Sequence, residues 1–345
     1  MKKIIVAPLN WGLGHASRCV PIIRLLIKYK YSPVIATDGV ALLFLKKEFP
    51  ELETIQLPSY NIKYGKNLTK LLLFQTPKIL KAITAERKVI EEYIQDHDDV
   101  IGVISDNRFG VRSDKVPSVY ITHQVNVLSG MWTWLTSFVH QKIIRRFDEC
   151  WIPDEELSLL SGKLSRSKRS LHQKYIGSLS RFSKENKKHL HDVVVVLSGL
   201  EPNRTQLEEK LHEALEEYKG KIVFIRGVLE SEQKKDHKNN ITIYNYVLSQ
   251  ELQEILNTAK VVVSRSGYSS IMDYAVTGKK AVLIPTKGQT EQEYLAKYLA
   301  QKGNIVSVSE NMFCAKDIER AQDLSGLTVE DKILNKELLS LFKGK

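Results

Sequence analysis

Short runs rich in Val and Ile alternate along the chain with longer stretches of helical period, the sequence form of repeated βα units and a parallel sheet. In the first half the strand-like runs are Lys3 to Leu9, Pro33 to Thr37, Thr54 to Leu57, Val100 to Ser105, Ser118 to Thr122 and Glu149 to Ile152, with helical patterns such as Leu68 to Gln95 between them. The series restarts with DVVVVLSG, KIVFIRG, ITIYNY, KVVVSRSG, KAVLIPT and NIVSVSE, beginning at Asp192, Lys221, Ile241, Lys260, Lys280 and Asn304. Two series predict two sheets. Residues 177–191, GSLSRFSKENKKHLH, are polar, charged and short on periodicity, and read as the linker. The expected organisation is an α/β chain: a Rossmann-like domain over 1–176, the linker, a second Rossmann-like domain over 192–325, and a tail over 326–345 read as a helix crossing back to the first domain.

Length and composition agree with this division. A chain of 345 residues with 43% hydrophobic content exceeds one ordinary core and supports two α/β domains. The opening MKKIIVAPL has an apolar run too short for a signal peptide and reads as a first buried strand. No stretch approaches the ~20 apolar residues that cross a bilayer. Cys19, Cys150 and Cys314 are odd in number and far apart, which points to a reducing, cytoplasmic compartment and to no zinc site. The net charge of +11 invites an anionic partner, and Ser161 to Lys174 holds five Lys or Arg and no acid. That run reads equally as a solvated loop or an anion-facing patch. No aromatic RNP pattern, helix-turn-helix or zinc spacing supports nucleic acid as the partner.

In an open parallel sheet the ligand crevice lies beyond the carboxyl ends of the strands, so the residues just after each strand are the chemical candidates. After the first strand comes NWGLGHASR, in which Gly12 and Gly14 allow close approach and His15 and Arg18 carry the chemistry. After ISDNRFG and YITHQV the candidates are Asp106, Asn107, Arg108, His123 and Gln124, read equally as acceptor contacts or as loop capping. In the second half, Ser264 to Gly267 precede a helix whose free amides suit a phosphate oxygen, Asp273 follows about two turns on, and Gln292 and Glu293 open the next helix. A carboxylate for a ribose beside a helix terminus for a diphosphate is what a nucleoside diphosphate needs.

The block from Val261 to Leu299 resembles the donor-binding region of GT-B glycosyltransferases, especially the MurG type (family 28) that moves N-acetylglucosamine from UDP. The resemblance implies that Ser264, Arg265, Ser266 and Gly267 hold the nucleotide, that Asp273 takes the ribose, and that Gln292 and Glu293 lie near the sugar. Two residues depart from the family pattern: Asp273 stands where Glu is usual and Glu293 where Gln is usual. By the same resemblance Ser198 and Gly199 contact the diphosphate, and Tyr246 and Val247 lie where the backbone reads the base. A tyrosine at a strand end is also ordinary packing. The form G-x-G-H-x-x-R resembles that of a less characterised GT-B group, with Gly12, Gly14, His15 and Arg18 at its positions.

The implied activity is inverting transfer of a sugar, N-acetylglucosamine by resemblance, from a UDP-sugar to a saccharide or lipid-linked hydroxyl, with no cofactor and no metal. Inversion needs a base for the acceptor proton, and histidine titrates near neutrality. His15 reads as that base, as a group positioning donor or acceptor, or as structural; Asp106 is the other base candidate. Arg18 and Arg265 each read as a phosphate contact or as a partner of an acid. The run DHDD, Asp96 to Asp99, precedes a strand and reads as a helix-end loop. The alternatives are a nonhydrolysing UDP-sugar epimerase of the same fold and an NAD(P)-dependent oxidoreductase, the latter suggested by GLGHAS and by Asp38 after the second strand. LLLFQTPKIL and SGMWTWLTSFVHQKIIRRF combine apolar and basic residues, which suits either core helices or docking on the anionic inner face of the cytoplasmic membrane.

Overall fold

The computed structural model describes residues 1–60, 68–157, 159–166, 171–330 and 334–343, with the backbone alone for 68–76. The side chains of residues 71–76 in LLLFQTPKIL, and residues 167–170 of the basic run after Ser161, therefore lie outside what is described. The chain forms two compact units, Met1–Leu179 with Lys332–Lys345, and Ser180–Asp331.

In the first unit β1 (Lys3–Pro8), β2 (Ser32–Thr37), β3 (Thr54–Gln56), β4 (Val100–Asp106), β5 (Ser118–Ile121), β6 (Glu149–Ile152) and β7 (Gln173–Tyr175) form one parallel sheet in the order 3-2-1-4-5-6-7. The helices are α1 (Gly14–Lys28), α2 (Gly39–Glu48), α3 (Leu68–Asp96) and α4 (Thr133–Ile144). β1 and β4 are apolar on both faces because helices cover both sides of a parallel sheet; Ile5, Ala7, Val34, Ala36, Val100 and Val103 pack with Ile90 and Ile94 of α3 in one cluster. The tail is a 3-10 helix, Lys336–Lys343, whose Phe342 is buried against Gly102 and Trp151.

The second unit contains β8 (His191–Val196), β9 (Ile222–Ile225), β10 (Lys235–Lys238), β11 (Ile241–Tyr244), β12 (Ala259–Ser264), β13 (Lys280–Leu283) and β14 (Val306–Ser307), in the order 10-11-9-8-12-13-14. Its helices are α5 (Asn203–Ala214), α6 (Ser249–Asn257), α7 (Tyr268–Thr277), α8 (Thr290–Gln301) and α9 (Ala315–Gln322). Only β10 is antiparallel, an exposed edge added to β11. Residues 180–190, expected within the linker, are fastened to this unit: Ser183 N–H donates to Gln253 Oε1 at 2.9 Å and Glu185 N–H to Asn257 Oδ1 at 3.1 Å.

Both units are thus doubly wound, with the strand order reversing between β1 and β4 in the first and between β8 and β12 in the second. At these switch points Pro8 pairs with Asp106 and Val196 with Ser264. The chemistry-bearing turns leave the sheets at these two places.

Candidate active site

α1 starts only six residues after β1 ends, and the intervening turn needs Gly12 in the left-handed region, at φ +73° with open space where a Cβ would stand. This brings His15, in the first turn of α1, to the carboxyl end of β4. His15 Nδ1 lies 2.9 Å from Asp106 Oδ1. Arg18, one turn further on, donates through Nε to Asp106 Oδ2 at 2.5 Å and through Nη2 to Oδ1. Its Nη2 also lies 2.8 Å from His15 Nδ1, and its Nη1 3.0 Å from Nδ1 of His123, which follows β5.

Asp106 and Arg18 are buried, whereas the His15 side chain keeps 17% of its surface accessible. Burial pushes the Asp106 carboxyl up, but Arg18 and His15 outweigh it and hold it far below the usual carboxylate range. Asp106 is therefore a fixed anion, not the base that its place after β4 suggested. Burial and the Arg18 charge lower the His15 pKa against the opposing pull of Asp106, so the imidazole is neutral near pH 7. Nδ1 faces both the Asp106 carboxylate and the Arg18 guanidinium; in the tautomer that donates Nδ1–H to Asp106, Nε2 carries the lone pair. This is the general-base arrangement of an imidazole oriented by a carboxylate.

Arg108 does not join this group. It is buried, donates through Nη1 to Glu86 Oε1 at 2.6 Å and through Nε to the Pro8 carbonyl at 2.9 Å, and forms an ion pair with Asp38. Glu86 also accepts from Tyr60 Oη at 2.7 Å, so Arg108 closes a buried brace and is not an acceptor contact. Asp38, the acidic residue that suggested a dinucleotide site, is engaged in the same brace and also accepts from Asn10 Nδ2 at 3.1 Å. Asn107, at φ +59°, accepts through Oδ1 from Tyr120 Oη at 2.8 Å. Gln124 is half-buried, its N–H donating to Thr122 Oγ1 at 3.1 Å. The DHDD run spans the end of α3 and the turn before β4.

In the second unit the turn after β12 leads into α7 through Gly267, which has open space around its missing Cβ. Ser266 Oγ donates to the Gln292 carbonyl at 2.8 Å, joining this turn to α8. Ser264 Oγ donates to the Arg265 carbonyl at 2.9 Å. Arg265 is buried and pairs with Glu310 at 2.6 Å while donating to the Asn203 carbonyl at 2.9 Å, so it is a brace rather than a phosphate contact. Gln292 Oε1 accepts from Thr286 N–H at 2.9 Å and Glu293 Oε1 from Gly288 N–H at 2.8 Å, and both shape the turn before α8. Gly199, at φ +112°, is exposed beside half-buried Ser198 at the end of β8. The Tyr246 and Val247 side chains are buried, leaving backbone as the part that could meet a base.

Asp273, the expected ribose carboxylate, already has partners in its own unit. Its Oδ1 accepts from Ser180 Oγ at 2.7 Å and its Oδ2 lies 3.8 Å from Arg181 Nε. Burial outweighs these partners and pushes its pKa up to about 6. Ser180 and Arg181 went unnoticed because they lie in a stretch with no periodicity, 93 and 92 residues from their partner. Among the described residues no group of three or more His, Cys, Asp or Glu is placed to hold a metal ion.

Residues 184–324 match the model of the glycosyltransferase family 28 C-terminal domain. Solved structures share the fold: the glycotransferase of kitacinnamycin has a TM-score of 0.61 at 16% identity, covering 93% of this chain and 91% of its own. MurG of Acinetobacter baumannii gives 0.53 at 14%, covering 94% and 95%. The protein is a glycosyltransferase of the GT-B fold, and its likeness to family 28 lies in residues 184–324. Among its curated relatives, the UDP-N-acetylglucosamine--N-acetylmuramyl-(pentapeptide) pyrophosphoryl-undecaprenol N-acetylglucosamine transferase of Sulfurihydrogenibium sp. is 25% identical over 99% of this chain and 93% of its own length. The transferase of the same name from Lactobacillus acidophilus is 23% identical over 84% and 81%. The family-model match covers the turns after β8, β11, β12 and β13 of this glycosyltransferase, and leaves its His15, Arg18, Asp106 and His123 group to be interpreted on geometry.

Proposed function

We propose that this glycosyltransferase moves N-acetylglucosamine from UDP-N-acetylglucosamine to a hydroxyl of a lipid-linked saccharide, with inversion at the sugar carbon. The names of the curated relatives support both the donor and the pyrophosphoryl-polyprenol class of acceptor. The observation that carries the reading is His15 on the buried Asp106–Arg18 pair, a neutral imidazole whose orientation is fixed from behind.

In this reading His15 Nε2 takes the acceptor hydroxyl proton as the acceptor oxygen bonds to the anomeric carbon. The bond from that carbon to the diphosphate oxygen breaks on the opposite face, and the electron pair leaves with UDP. Asp106 stabilises the imidazolium that forms. Gln124 and Asn107 flank the acceptor, and Gly12 and Gly14 let substrate approach the turn. On the second unit the amide end of α7 at Ser266 and Gly267, with Ser198 and Gly199, receives the diphosphate, while backbone at Tyr246 and Val247 reads the base. Gln292 and Glu293 shape the sugar subsite through the turn that they hold. A ribose hydroxyl replaces the Ser180 hydroxyl at Asp273, one donor exchanged for another. The reading assigns no metal or cofactor to the reaction.

No helix among the described residues is long and apolar enough to cross a membrane. A 3-10 turn and α4 nevertheless expose Met131, Trp132, Trp134, Leu135, Phe138 and Val139, with Lys142, Arg145 and Arg146 exposed at the basic end. An apolar face rimmed by cations suits the surface of an anionic bilayer, which is where a lipid-linked acceptor resides. This exposed face supports the reading that the protein works at the cytoplasmic face of the membrane. Calorimetric titration tests the donor class: UDP and UDP-N-acetylglucosamine should bind saturably and NAD should not. Binding of NAD without UDP would refute the reading.

A further inference from the structure

Asn245 is buried, directly after β11 and immediately before the two residues whose backbone is assigned to the base. Its carboxamide is fully engaged. Oδ1 accepts from Tyr246 N–H at 2.9 Å and from Lys234 N–H at 2.8 Å, while Nδ2 donates to Glu230 Oε2 at 3.0 Å and to the Glu232 carbonyl at 2.9 Å. Two donors and two acceptor lone pairs are all that a carboxamide has. The backbone of the same residue accepts from Val228 N–H at 2.8 Å and donates to the Lys234 carbonyl at 3.3 Å. One buried side chain therefore ties the segment between β9 and β10 to the first peptide of the turn after β11.

That tie governs what the turn shows to a ligand. Tyr246 N–H is spent on Asn245, so the next backbone donor, Val247 N–H, is the one that falls to a base. Backbone N–H and carbonyl groups are alike at every residue, and they discriminate between bases only when their positions are fixed. We infer that Asn245 is a positioning residue that sets base specificity: it fixes the peptide before Val247, and so the base edge that the turn accepts, without touching the nucleotide. The inference rests on the proposed donor for the identity of the base, and on the structure for the Asn245 contacts. Uracil, like thymine, presents O4, an acceptor, where cytosine presents an amino donor. A fixed N–H facing that position favours UDP and sets donor against donor in CDP, whereas a peptide able to turn can meet either.

The test is the ratio of the CDP and UDP dissociation constants, measured by calorimetry on the full-length protein. Ribose and diphosphate are common to both ligands and the ratio is taken within one variant, so neither the phosphate site nor the fraction of folded protein enters it. The wild type should prefer UDP by about 10- to 100-fold, the cost of an unmet donor in a desolvated site. N245A should lose most of this preference, mainly through weaker UDP binding. N245D keeps the acceptor for both N–H groups but sets a second carboxylate oxygen against Glu230 Oε2 and the Glu232 carbonyl, and should lose it likewise. E230Q gives that oxygen a donor, so N245D/E230Q should recover much of the preference. A wild-type ratio retained in N245A, or a double variant no better than N245D, would overturn the inference. Hydrogen exchange without nucleotide checks the tie itself: the Tyr246 and Lys234 amides should exchange about 10-fold faster in N245A, and unchanged exchange would also overturn it. A wild type that binds UDP and CDP alike would instead refute the reading of the base at this turn, and the inference with it.

Discussion

Replacing Arg18 with leucine should leave the Asp106 carboxylate buried without its strongest partner, and the cost follows from where that carboxylate lies. Asp106 has no accessible surface, and in the intact protein Arg18 is the chief force that lowers its pKa against burial. In R18L burial dominates and the folded-state pKa rises. The chain escapes an unpaired buried charge by protonating Asp106, which at pH 7 costs about 1.4 kcal/mol for each of the ~3 pH units above an ordinary aspartate pKa, or about 4 kcal/mol. This falls within the ~3–5 kcal/mol expected for breaking a buried pair. The sign is specific. In the wild type the depressed Asp106 contributes stability that is present above the unfolded pKa and lost only as pH falls through the folded value. In R18L the folded pKa is raised, so the penalty is largest near neutrality and shrinks on acidification, to about 1.5 kcal/mol at pH 5. Protonation of His15, 2.9 Å away, would add relief of the same sign. All four tryptophans, Trp11, Trp132, Trp134 and Trp151, lie in the first unit, so urea unfolding followed by their fluorescence reports this unit alone. A loss below about 1 kcal/mol, or one equal at pH 7 and pH 5, would refute the reasoning.

Other consequences are more direct. Because burial and Arg18 lower the His15 pKa, the acid limb of the kcat/KM profile should fall below the ordinary histidine value of about 6.5, and D106N should move it lower still by removing the opposing pull; an acid limb above that value would contradict the assignment. Gly267 has a φ of −71° and open space for a Cβ, so G267A should leave the unfolding midpoint unchanged while weakening UDP binding by calorimetry; unchanged affinity would remove the α7 terminus from the diphosphate site. Trp134 and Phe138 are 70% and 44% exposed, and W134E/F138E should reduce sedimentation with anionic vesicles without altering UDP binding. Equal sedimentation by the variant and the wild type would contradict membrane docking by this face.

The strands were legible because a parallel sheet covered on both faces writes itself as continuous Val and Ile runs, as in β1, β8 and β12. β7 and β10 were missed for the opposite reason: QKY and KDHK are short edge strands with no apolar pattern. NIVSVSE, read as a full strand, pairs only at Val306–Ser307. At the site, strand-end position drew notice to His15, Asp106 and His123, which the structure gathers around Arg18, but position does not say which way a side chain turns. Asp106 and Arg108 are two residues apart on one strand end, yet one joins Arg18 and the other turns to Asp38 and Glu86, 70 and 22 residues away. Periodicity carries no record of such distant partners, nor of Ser180 and Arg181 meeting Asp273. Arg18 and Arg265 were each ambiguous between a phosphate and an acid for the same reason, and both chose acids.

The central claim is that this glycosyltransferase uses His15 as the base for transfer from a UDP-sugar to a lipid-linked hydroxyl. It is tested most directly by incubating wild type and H15A with radiolabelled UDP-N-acetylglucosamine and vesicles carrying a polyprenyl-diphosphate saccharide, then counting label extracted into butanol. The wild type should move label into the lipid phase, and H15A should do so about 10²–10⁴-fold more slowly while binding UDP as tightly. Transfer undiminished in H15A would contradict the base assignment, and no lipid-borne label from the wild type would contradict the proposed reaction.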